Sequence, residues 1–154
     1  MNSDLFKAAL GRWTTGVTVI TTRAADGTPA GFTANSFTSL SLNPPLVLFC
    51  LGKESSSQVA FLSAPGFAVH ILADDQRTLA GRFAQPGGDK FAGLELSEGM
   101  RGVPLLPGGL ACLECRTVQI HPGGDHHVVV GEVEAVRLGD GRPLIYHRGE
   151  YQGL

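Results

Sequence analysis

Apolar residues recur along this chain mainly in runs of strand length, separated by turn residues. Continuous or alternating apolar and β-branched residues predict strands over 17–23, 28–34, 46–51, 67–72, 111–121, 128–136 and 143–147. Helical spacing of apolar residues predicts only short helices: one over 5–13 with Asp4 as N-cap, one over 59–62, and one that begins at Asp74 or Asp75 and ends near Phe83. The run 46–51 has no polar face, so both its faces are expected to be buried.

The balance of these elements predicts the fold class. About seven strands with closely spaced turns, and two or three short helices, favour a mainly β fold with antiparallel pairing. We expect a closed or nearly closed barrel that the helices flank or plug. With 154 residues and neither repeats nor a linker, the chain is expected to form a single domain over 1–154.

Composition and charge exclude several classes of protein. A hydrophobic content of 43% and a charged content of 17% are typical of a globular chain and not of a disordered one. The net charge of −2 gives no electrostatic footprint for nucleic acid. No apolar run approaches the ~18 residues of a membrane span, and residues 1–4 lack the features of a signal peptide. We therefore expect a soluble, cytoplasmic protein with no nucleic-acid or membrane partner.

The segment 31–42 resembles neither a core strand nor a charged loop. It combines small side chains, hydroxyl groups and the amide of Asn35, with apolar residues between them. Such a surface lets a flat ligand lie close to the backbone while polar groups reach the edges of the ligand. We interpret this segment as one wall of a binding site, with Asn35, Ser36 and Ser39 as the groups that meet the polar edge of the ligand.

A candidate phosphate site follows this wall. Ser55, Ser56 and Ser57 precede the predicted helix 59–62, and free backbone N–H groups together with hydroxyls favour an anion there. Ordinary N-capping is the alternative, although it needs only one serine. Arg82 and Lys90 flank the glycine-rich loop 85–89 and could add positive charge to the same phosphate. Taken alone, each of these two cations is typical of a solvated surface.

The cysteines suggest a metal site as one alternative. Cys112 and Cys115 form a CxxC pair, and histidines follow them in the chain. However, the pair lies in a predicted strand, where residues three apart face opposite sides, and a second ligand pair at the usual spacing is missing. With Cys50 the chain has only three cysteines, too few for a disulfide framework. We therefore expect free thiols and no metal.

Three histidines are candidates for different roles. His126 and His127 follow a Gly-Asp turn at a strand entry, where one ring could contact a substrate and the other could be exposed. An ordinary polar turn is the alternative for these residues. His70 lies inside an apolar run, so we expect a structural histidine that is bonded to the backbone or to a neighbour.

Signatures of other enzyme classes are absent from the chain. It has no G-x-S-x-G elbow, which leaves nucleophilic catalysis without support. It has neither a G-x-G-x-x-G motif after a strand nor a P-loop, which excludes a Rossmann nucleotide domain. A nicotinamide cofactor would have to bind without that fold.

An ordered set of motifs resembles the flavin reductase-like family, the small reductase components of two-component flavin-dependent monooxygenases. The resemblance covers essentially the whole chain in the order of the family, although no single motif is decisive. The motifs lie at 16–22, 33–41, 44–47, 55–57, 79–83, 90–91, 124–126, 131–133, 143–146 and 149–151. Two departures are His70, where the family commonly has asparagine, and His127, which doubles the histidine of the Gly-Asp-His motif.

The resemblance implies an FMN-binding split β-barrel, a homodimer and NAD(P)H:flavin oxidoreductase activity. It implies FMN or FAD as an exchangeable flavin, NADH or NADPH as the hydride donor, and a partner monooxygenase that consumes reduced flavin. The residues that it assigns to cofactor binding are Thr33, Ala34, Asn35, Ser36, Ser39, Ser41, Ser55, Ser56, Ser57, Arg82, Phe83, Lys90 and Tyr151. His126 is the catalytic candidate, expected near the nicotinamide.

The expected mechanism needs little chemistry from the protein. The cofactors themselves carry hydride transfer from the nicotinamide C4 to the flavin N5, and the protein holds the two rings roughly 3–3.5 Å apart. Hydroxyl and N–H groups near the flavin N1 and O2 would stabilise the charge that develops there. Two alternatives remain: a flavin- or haem-binding module without turnover, and an FMN-dependent oxidase of a small amine.

Overall fold

A seven-stranded antiparallel sheet forms the centre of the fold in the computed structural model, which describes residues 1–154. The strands are β1 (Thr15–Gly16), β2 (Thr18–Arg23), β3 (Pro29–Ala34), β4 (Thr38–Ser41), β5 (Leu46–Gly52), β6 (Gly66–Ile71), β7 (Ser97–Glu98), β8 (Pro104–Leu105), β9 (Ala111–Gly123), β10 (His126–Leu138), β11 (Ile145–His147) and β12 (Glu150–Gln152). The helices are α1 (Ser3–Leu10), α2 (Gln58–Ser63) and α3 (Arg77–Ala84), with 3₁₀ turns at Asp74–Gln76 and Met100–Gly102.

The strand order leaves one opening in this sheet. The order is β3-β2-β6-β9-β10-β5-β4, so β3 and β4 are the two edges although they are neighbours in the chain. Ser36 ties their connection to β5, because its Oγ accepts from the Cys50 N–H at 3.0 Å and lies 3.2 Å from the Cys50 carbonyl. The predicted mainly β, antiparallel class with few short helices is confirmed, and the sheet remains open between β3 and β4.

Two apolar clusters hold the helices against the sheet. In the first, Phe49 packs edge-on against Phe61 and Phe67, with ring centroids 5.5 and 4.9 Å apart. A side chain at Gly131 would collide with the Phe67 ring, which explains a glycine at the register shift of β10. In the second, Phe83 of α3 packs on Phe91 and so fixes the loop after α3.

The two CxxC cysteines face different clusters. Cys115 lies in the phenylalanine-rich cluster, whereas Cys112 packs with Ala68 and Val103. Burial raises the pKa of Cys112 to about 11 and that of Cys115 to about 12. All three cysteines are free thiols, and no group of three or more His, Cys, Asp or Glu side chains could hold a metal ion.

Three local predictions are wrong. Asn2, not Asp4, caps α1, because its side chain accepts from the Asp4 and Leu5 N–H groups at 2.8 and 3.2 Å. Neither Asp74 nor Asp75 caps the helix after β6. Gln76 precedes α3 instead, and its Oε1 accepts from the Ala73 N–H at 2.9 Å. The run 46–51 is buried on one face only: alternate residues of β5 are buried and the others are half-buried.

Several short elements lie outside the predicted ones. The predicted strand 143–147 forms only over β11, which pairs with β1 and β12 in a small separate sheet. The strands β1 and β12 have two and three residues, too few to show a hydrophobic period. The longest helices have eight residues, and none is long and apolar enough to cross a membrane.

Candidate functional site

The predicted wall, residues 31–42, runs along the open edge of the sheet from β3 to β4. Thr33 and Ala34 contribute mainly backbone atoms to the surface of the wall. Thr33 Oγ1 donates to the Ala80 carbonyl at 2.6 Å, and Ala34 is buried. Asn35 and Ser39 are exposed and form no side-chain hydrogen bond within the chain. The wall therefore keeps free polar groups at its surface.

The end of β5 joins three parts of the predicted site. The wall is attached there through the Ser36–Cys50 hydrogen bonds, and Ser41 lies opposite Leu46 at the other end of the same strand pair. His126 is the cross-strand partner of Gly52. The Ser55 N–H donates to the Gly52 carbonyl at 3.0 Å. Residues 50–52 thus bring the wall, the histidine and the serine cluster close together.

The serine groove is a cavity of about 730 Å³ beside the first half of β3. It is lined by Ser56, Ser57 and Lys90, with the glycine-rich loop on one side. Ser57 precedes α2 but makes no side-chain cap bond; its hydroxyl donates to the Gly31 carbonyl at 3.4 Å, and its N–H donates to Ser55 Oγ at 3.2 Å. A side chain at position 31 would collide with the Ile20 carbonyl and press on the Phe83 ring, which explains the glycine there.

Lys90 is the cation of the serine groove. Its Nζ donates to the carbonyls of Gly31 and Phe83 at 3.3 Å each, which fixes the ammonium at the groove. Burial lowers the pKa of Lys90. A partly desolvated ammonium that is held by two carbonyls attracts an anion more strongly than a solvated lysine does.

Two of the predicted cofactor residues, Arg82 and Phe83, do not line this groove. Arg82 donates to the Ala92 carbonyl and lines a different cavity of about 310 Å³, between α3 and Pro107. The ring of Phe83 is buried and packs on Phe91, with centroids 5.0 Å apart. The Phe83 carbonyl nevertheless accepts from Lys90 Nζ at 3.3 Å. The assignment of Arg82 and Phe83 to the flavin stays a prediction.

His126 and His127 differ in what their rings are free to do. His126 Nδ1 lies 2.7 Å from Asp125 Oδ1, whereas its Nε2 has no partner in the chain and its side chain is 49% exposed. The hydrogen bond from His126 lowers the pKa of Asp125. His127 Nε2 instead bonds Gln58 Oε1 at 2.9 Å, against the start of α2. His126 is therefore the ring that can meet a ligand.

His70 is a structural histidine, as expected. Its Nδ1 bonds the Val19 carbonyl at 3.0 Å, and its Nε2 accepts from the Leu106 N–H at 3.0 Å. Accepting at Nε2 requires the neutral ring with the proton on Nδ1. Burial, opposed by the Val19 hydrogen bond and aided by the charge of Arg137, lowers the pKa of His70 to about 4.

Aromatic residues close the site at the far end of β3. Tyr146 and Tyr151 pack with ring centroids 5.5 Å apart, and both line a cavity of about 160 Å³ next to Thr33 and Asn35. Burial, and secondarily Tyr146, raises the pKa of Tyr151. The predicted Tyr151 thus meets the wall from the small sheet β1-β11-β12.

A second groove beside Asn35 was not predicted. It has a volume of about 580 Å³ and lies between α1 and the turn that joins β11 to β12. Its charged and aromatic lining residues are Lys7, Arg12, Trp13, Tyr146 and Arg148. These residues come from both ends of the chain, so no local motif unites them.

Known proteins with similar sequences include flavin reductases. Residues 10–154 match the family described as flavin reductase like domain. The reductase subunit HsaB of a flavin-dependent monooxygenase from Rhodococcus jostii is 44% identical over 150 residues, which cover 97% of this chain and 76% of that protein. The FMN reductase (NADH) SmoA from Agrobacterium fabrum is 46% identical over 150 residues, which cover 97% of this chain and 85% of that protein.

Solved structures agree with these sequence matches. The NADH:FAD oxidoreductase SgcE6 from Streptomyces globisporus, in complex with NAD and FAD fragments, superposes with a TM-score of 0.92 at 35% identity. The superposition covers 98% of this chain and 92% of that one. The chain belongs to the flavin reductase-like family, which confirms the resemblance and the enzyme class predicted from it.

Proposed function

We propose that this protein oxidises NADH or NADPH, reduces FMN or FAD, and supplies the reduced flavin to a partner monooxygenase. The observation that carries this proposal is the convergence at the end of β5, where Ser36 is bonded to Cys50 and both His126 and Ser55 meet Gly52. A flat ring on the wall would there have a histidine at one edge and hydroxyl groups leading towards the serine groove. The named activities of the relatives support the same reaction.

The residues present fit a flavin. Gly31 and Ala34 leave a flat surface, and Asn35 and Ser39 have free polar groups that could bond the polar edge of the ring. Ser56 and Lys90 provide a hydroxyl and a fixed cation for a phosphate. Bound flavin and nicotinamide rings supply the hydride chemistry, so the protein needs no acid–base pair of its own.

The role of the protein is then to position the two rings. Asp125 and His126 form the clearest pair of positioning residues. The Asp125 carboxylate accepts the His126 Nδ1–H, which leaves Nε2 as the free ring atom directed away from that bond. A neutral Nε2 accepts a hydrogen bond, which suits the carboxamide N–H₂ of a nicotinamide. We assign to His126 the orientation of that amide over the wall.

We also propose a homodimer, because the monomer leaves a large apolar surface near the site. No residue of α1 is buried, and its Leu5, Phe6 and Leu10 are exposed. Leu40 and Leu42 on the open edge are exposed as well, Leu42 to 94%. Clusters of exposed large apolar residues mark interaction surfaces more often than scattered ones do. Sedimentation velocity should give twice the monomer mass; a monomer at micromolar concentration would refute the dimer.

The cytoplasm is the proposed location. All three cysteines are free thiols, which is typical of proteins from a reducing compartment. Fractionation of the producing cell should find the protein with the soluble cytoplasmic enzymes.

Steady-state oxidation of NADH and NADPH with riboflavin, FMN and FAD tests the proposed reaction. We expect a rate that rises with free flavin and saturates. A pure protein that binds flavin but stays inert towards both nicotinamides would instead indicate a binding module. Oxidation of a small amine without NAD(P)H would indicate the oxidase alternative.

A further inference from the structure

The connection between β3 and β4, residues 35–37, is attached to the sheet by a side chain at a position where backbone pairing would be regular. Thr38 of β4 is the register partner of Leu48 of β5. Antiparallel partners run in opposite directions, so the position two residues before Thr38 falls opposite Cys50. Ser36 occupies that position, and its hydroxyl group meets the Cys50 backbone.

The Ser36 hydroxyl makes both bonds that a strand backbone would make there. Its Oγ accepts from the Cys50 N–H at 3.0 Å and donates to the Cys50 carbonyl at 3.2 Å. In a regular ladder the N–H and the carbonyl of the opposite residue form this pair of bonds. A hydroxyl can replace them because it has one donor and two acceptor lone pairs. Cys50 is therefore satisfied, while the backbone of Ser36 stays unused.

The consequence is a run of three free backbone donors. The N–H groups of Asn35, Ser36 and Phe37 donate no hydrogen bond within the chain. In native structures backbone N–H groups are paired almost without exception, with water as the partner where the chain supplies none. A ligand with acceptor atoms on the wall would replace that water at three adjacent donors.

The free donors are fixed in place before a ligand arrives. On one side, the Phe37 ring packs against the phenylalanine-rich cluster. On the other side, Ala34 is buried and is the register partner of Thr18 in β2. The Ser36–Cys50 bonds hold the middle of the segment. Donors that are already oriented stabilise developing negative charge without the cost of reorganisation.

These contacts give Ser36 a role different from direct contact with a ring. Its single O–H is used on the Cys50 carbonyl, so it is not available to donate to the polar edge of a ligand. We propose that Ser36 is a positioning residue, whose hydroxyl holds residues 35–37 so that their free N–H groups meet the flavin edge where negative charge develops on reduction. This inference rests on the proposed function, in which the ring lies on the wall.

Anaerobic calorimetric titration with oxidised and with reduced FMN tests the proposal. The phosphate contributes to both titrations and cancels in their ratio. Ser36→Ala should weaken the binding of reduced FMN about tenfold and that of oxidised FMN within about twofold, since hydrogen bonds to a charged acceptor are the stronger ones. This difference lowers the two-electron potential of the bound flavin by about 30 mV. Equal losses for the two forms would overturn the proposal.

Hydrogen exchange of the backbone amides reports on the donors themselves. FMN should slow the exchange of the Asn35, Ser36 and Phe37 amides in the wild-type protein, and this protection should fall about tenfold in Ser36→Ala. Amides at 35–37 that exchange equally fast with and without FMN in the wild-type protein would overturn the proposal.

The choice of variants separates positioning from folding. Ser36→Thr retains the hydroxyl and should keep the wild-type ratio of the two FMN affinities within about twofold. Ser36→Cys has a weak donor and acceptor of similar size and should give an intermediate ratio, which keeps the test open if Ser36→Ala does not fold. A wild-type ratio in Ser36→Cys would overturn the proposal.

Ser63→Ala is the matched control. The Ser63 hydroxyl also donates to a backbone carbonyl, that of Val59 at 2.8 Å, but it lies exposed at the end of α2. This variant should leave both FMN affinities unchanged. The same change of ratio in Ser63→Ala as in Ser36→Ala would show a general effect of lost hydroxyl bonds and would overturn the proposal.

Steady-state kinetics distinguish positioning from direct contact. Ser36→Ala should lower kcat for NADH oxidation about tenfold while the KM for FMN stays within about twofold, because the interaction strengthens only as charge develops. A raised KM with unchanged kcat would indicate that the hydroxyl contacts the flavin directly and would contradict the proposal. If the wild-type protein binds FMN but oxidises no NADH, the proposed reaction fails, and the titrations still decide the role of Ser36.

Discussion

His70 in β6 and His126 in β10 belong to the same sheet, yet their surroundings give them opposite roles. His70 is 3% exposed and both its ring nitrogens are bonded to the backbone. His126 is half-exposed, with one nitrogen held by Asp125 and the other free. A histidine with two fixed partners is part of the scaffold, whereas one fixed and one free nitrogen make an oriented group that can meet a ligand. The ring alone does not decide between the two.

The largest expected effect comes from His70→Ala. The change leaves the Val19 carbonyl and the Leu106 N–H buried without a partner and opens a cavity. We expect a loss of about 3–5 kcal/mol in the free energy of unfolding, measured by urea denaturation. His70→Asn is the milder comparison because it retains a polar side chain. A loss below 1 kcal/mol for His70→Ala would contradict the structural role.

The same residue should make stability depend on pH. The pKa of His70 falls to about 4 in the folded protein, from 6.5 in the unfolded one. Between these values the unfolded chain binds a proton that the folded chain does not, so the free energy of unfolding decreases as pH falls from 6.5 to 4. The contribution is about 3 kcal/mol over that range and is constant above it. Denaturation curves of wild type and His70→Asn should therefore converge towards pH 4; parallel curves would show that His70 contributes nothing.

Next in size is the effect of His126→Ala on turnover. Loss of the orienting ring should lower kcat/KM for NADH about 10- to 100-fold, with little change in the unfolding temperature. His127→Ala is the matched control, since the His127 ring is bonded to Gln58. That variant should lose about 1 kcal/mol of stability and keep its turnover. Equal turnover in the wild type and His126→Ala would remove the assigned role.

The smallest effect should come from Asp125→Ala. Asp125 is exposed and anchors only one nitrogen of His126, and exposed ion pairs contribute little. We expect a decrease in kcat/KM of about fivefold at most. The double variant with His126→Ala should be no worse than His126→Ala alone, since Asp125 acts through that ring. Additive losses in the double variant would show an independent role for the carboxylate.

The parts of the fold that depend on long-range strand pairing could not be predicted from the sequence. Apolar periodicity is a local signal, and it located β2, β5, β6, β9 and β10. It could not find β1 or β12, which depend on pairing with β11. Two capping residues were also predicted wrongly. Aspartates lie close to Asn2 and Gln76 in the sequence, and the local backbone geometry, which composition does not show, decides which side chain caps.

The candidate site shows the same division between local and long-range features. The wall, the serines and His126 were proposed as site residues because each has an unusual local composition, and the structure brings them near the end of β5. Arg82 was assigned by its distance in sequence from the glycine-rich loop, yet its side chain turns towards Ala92 and a different cavity. The groove between α1 and the β11–β12 turn joins Arg12 and Arg148 across almost the full chain, so only the folded structure brings them together.

The most direct test of the account is the rate of NADH oxidation by the purified protein as free FMN or FAD is varied. A catalytic protein with an exchangeable flavin should show a rate that rises hyperbolically with flavin, and reduced flavin should appear in stoichiometric amount under anaerobic conditions. A rate that does not depend on added flavin, with neither NADH nor NADPH consumed above the buffer, would contradict it.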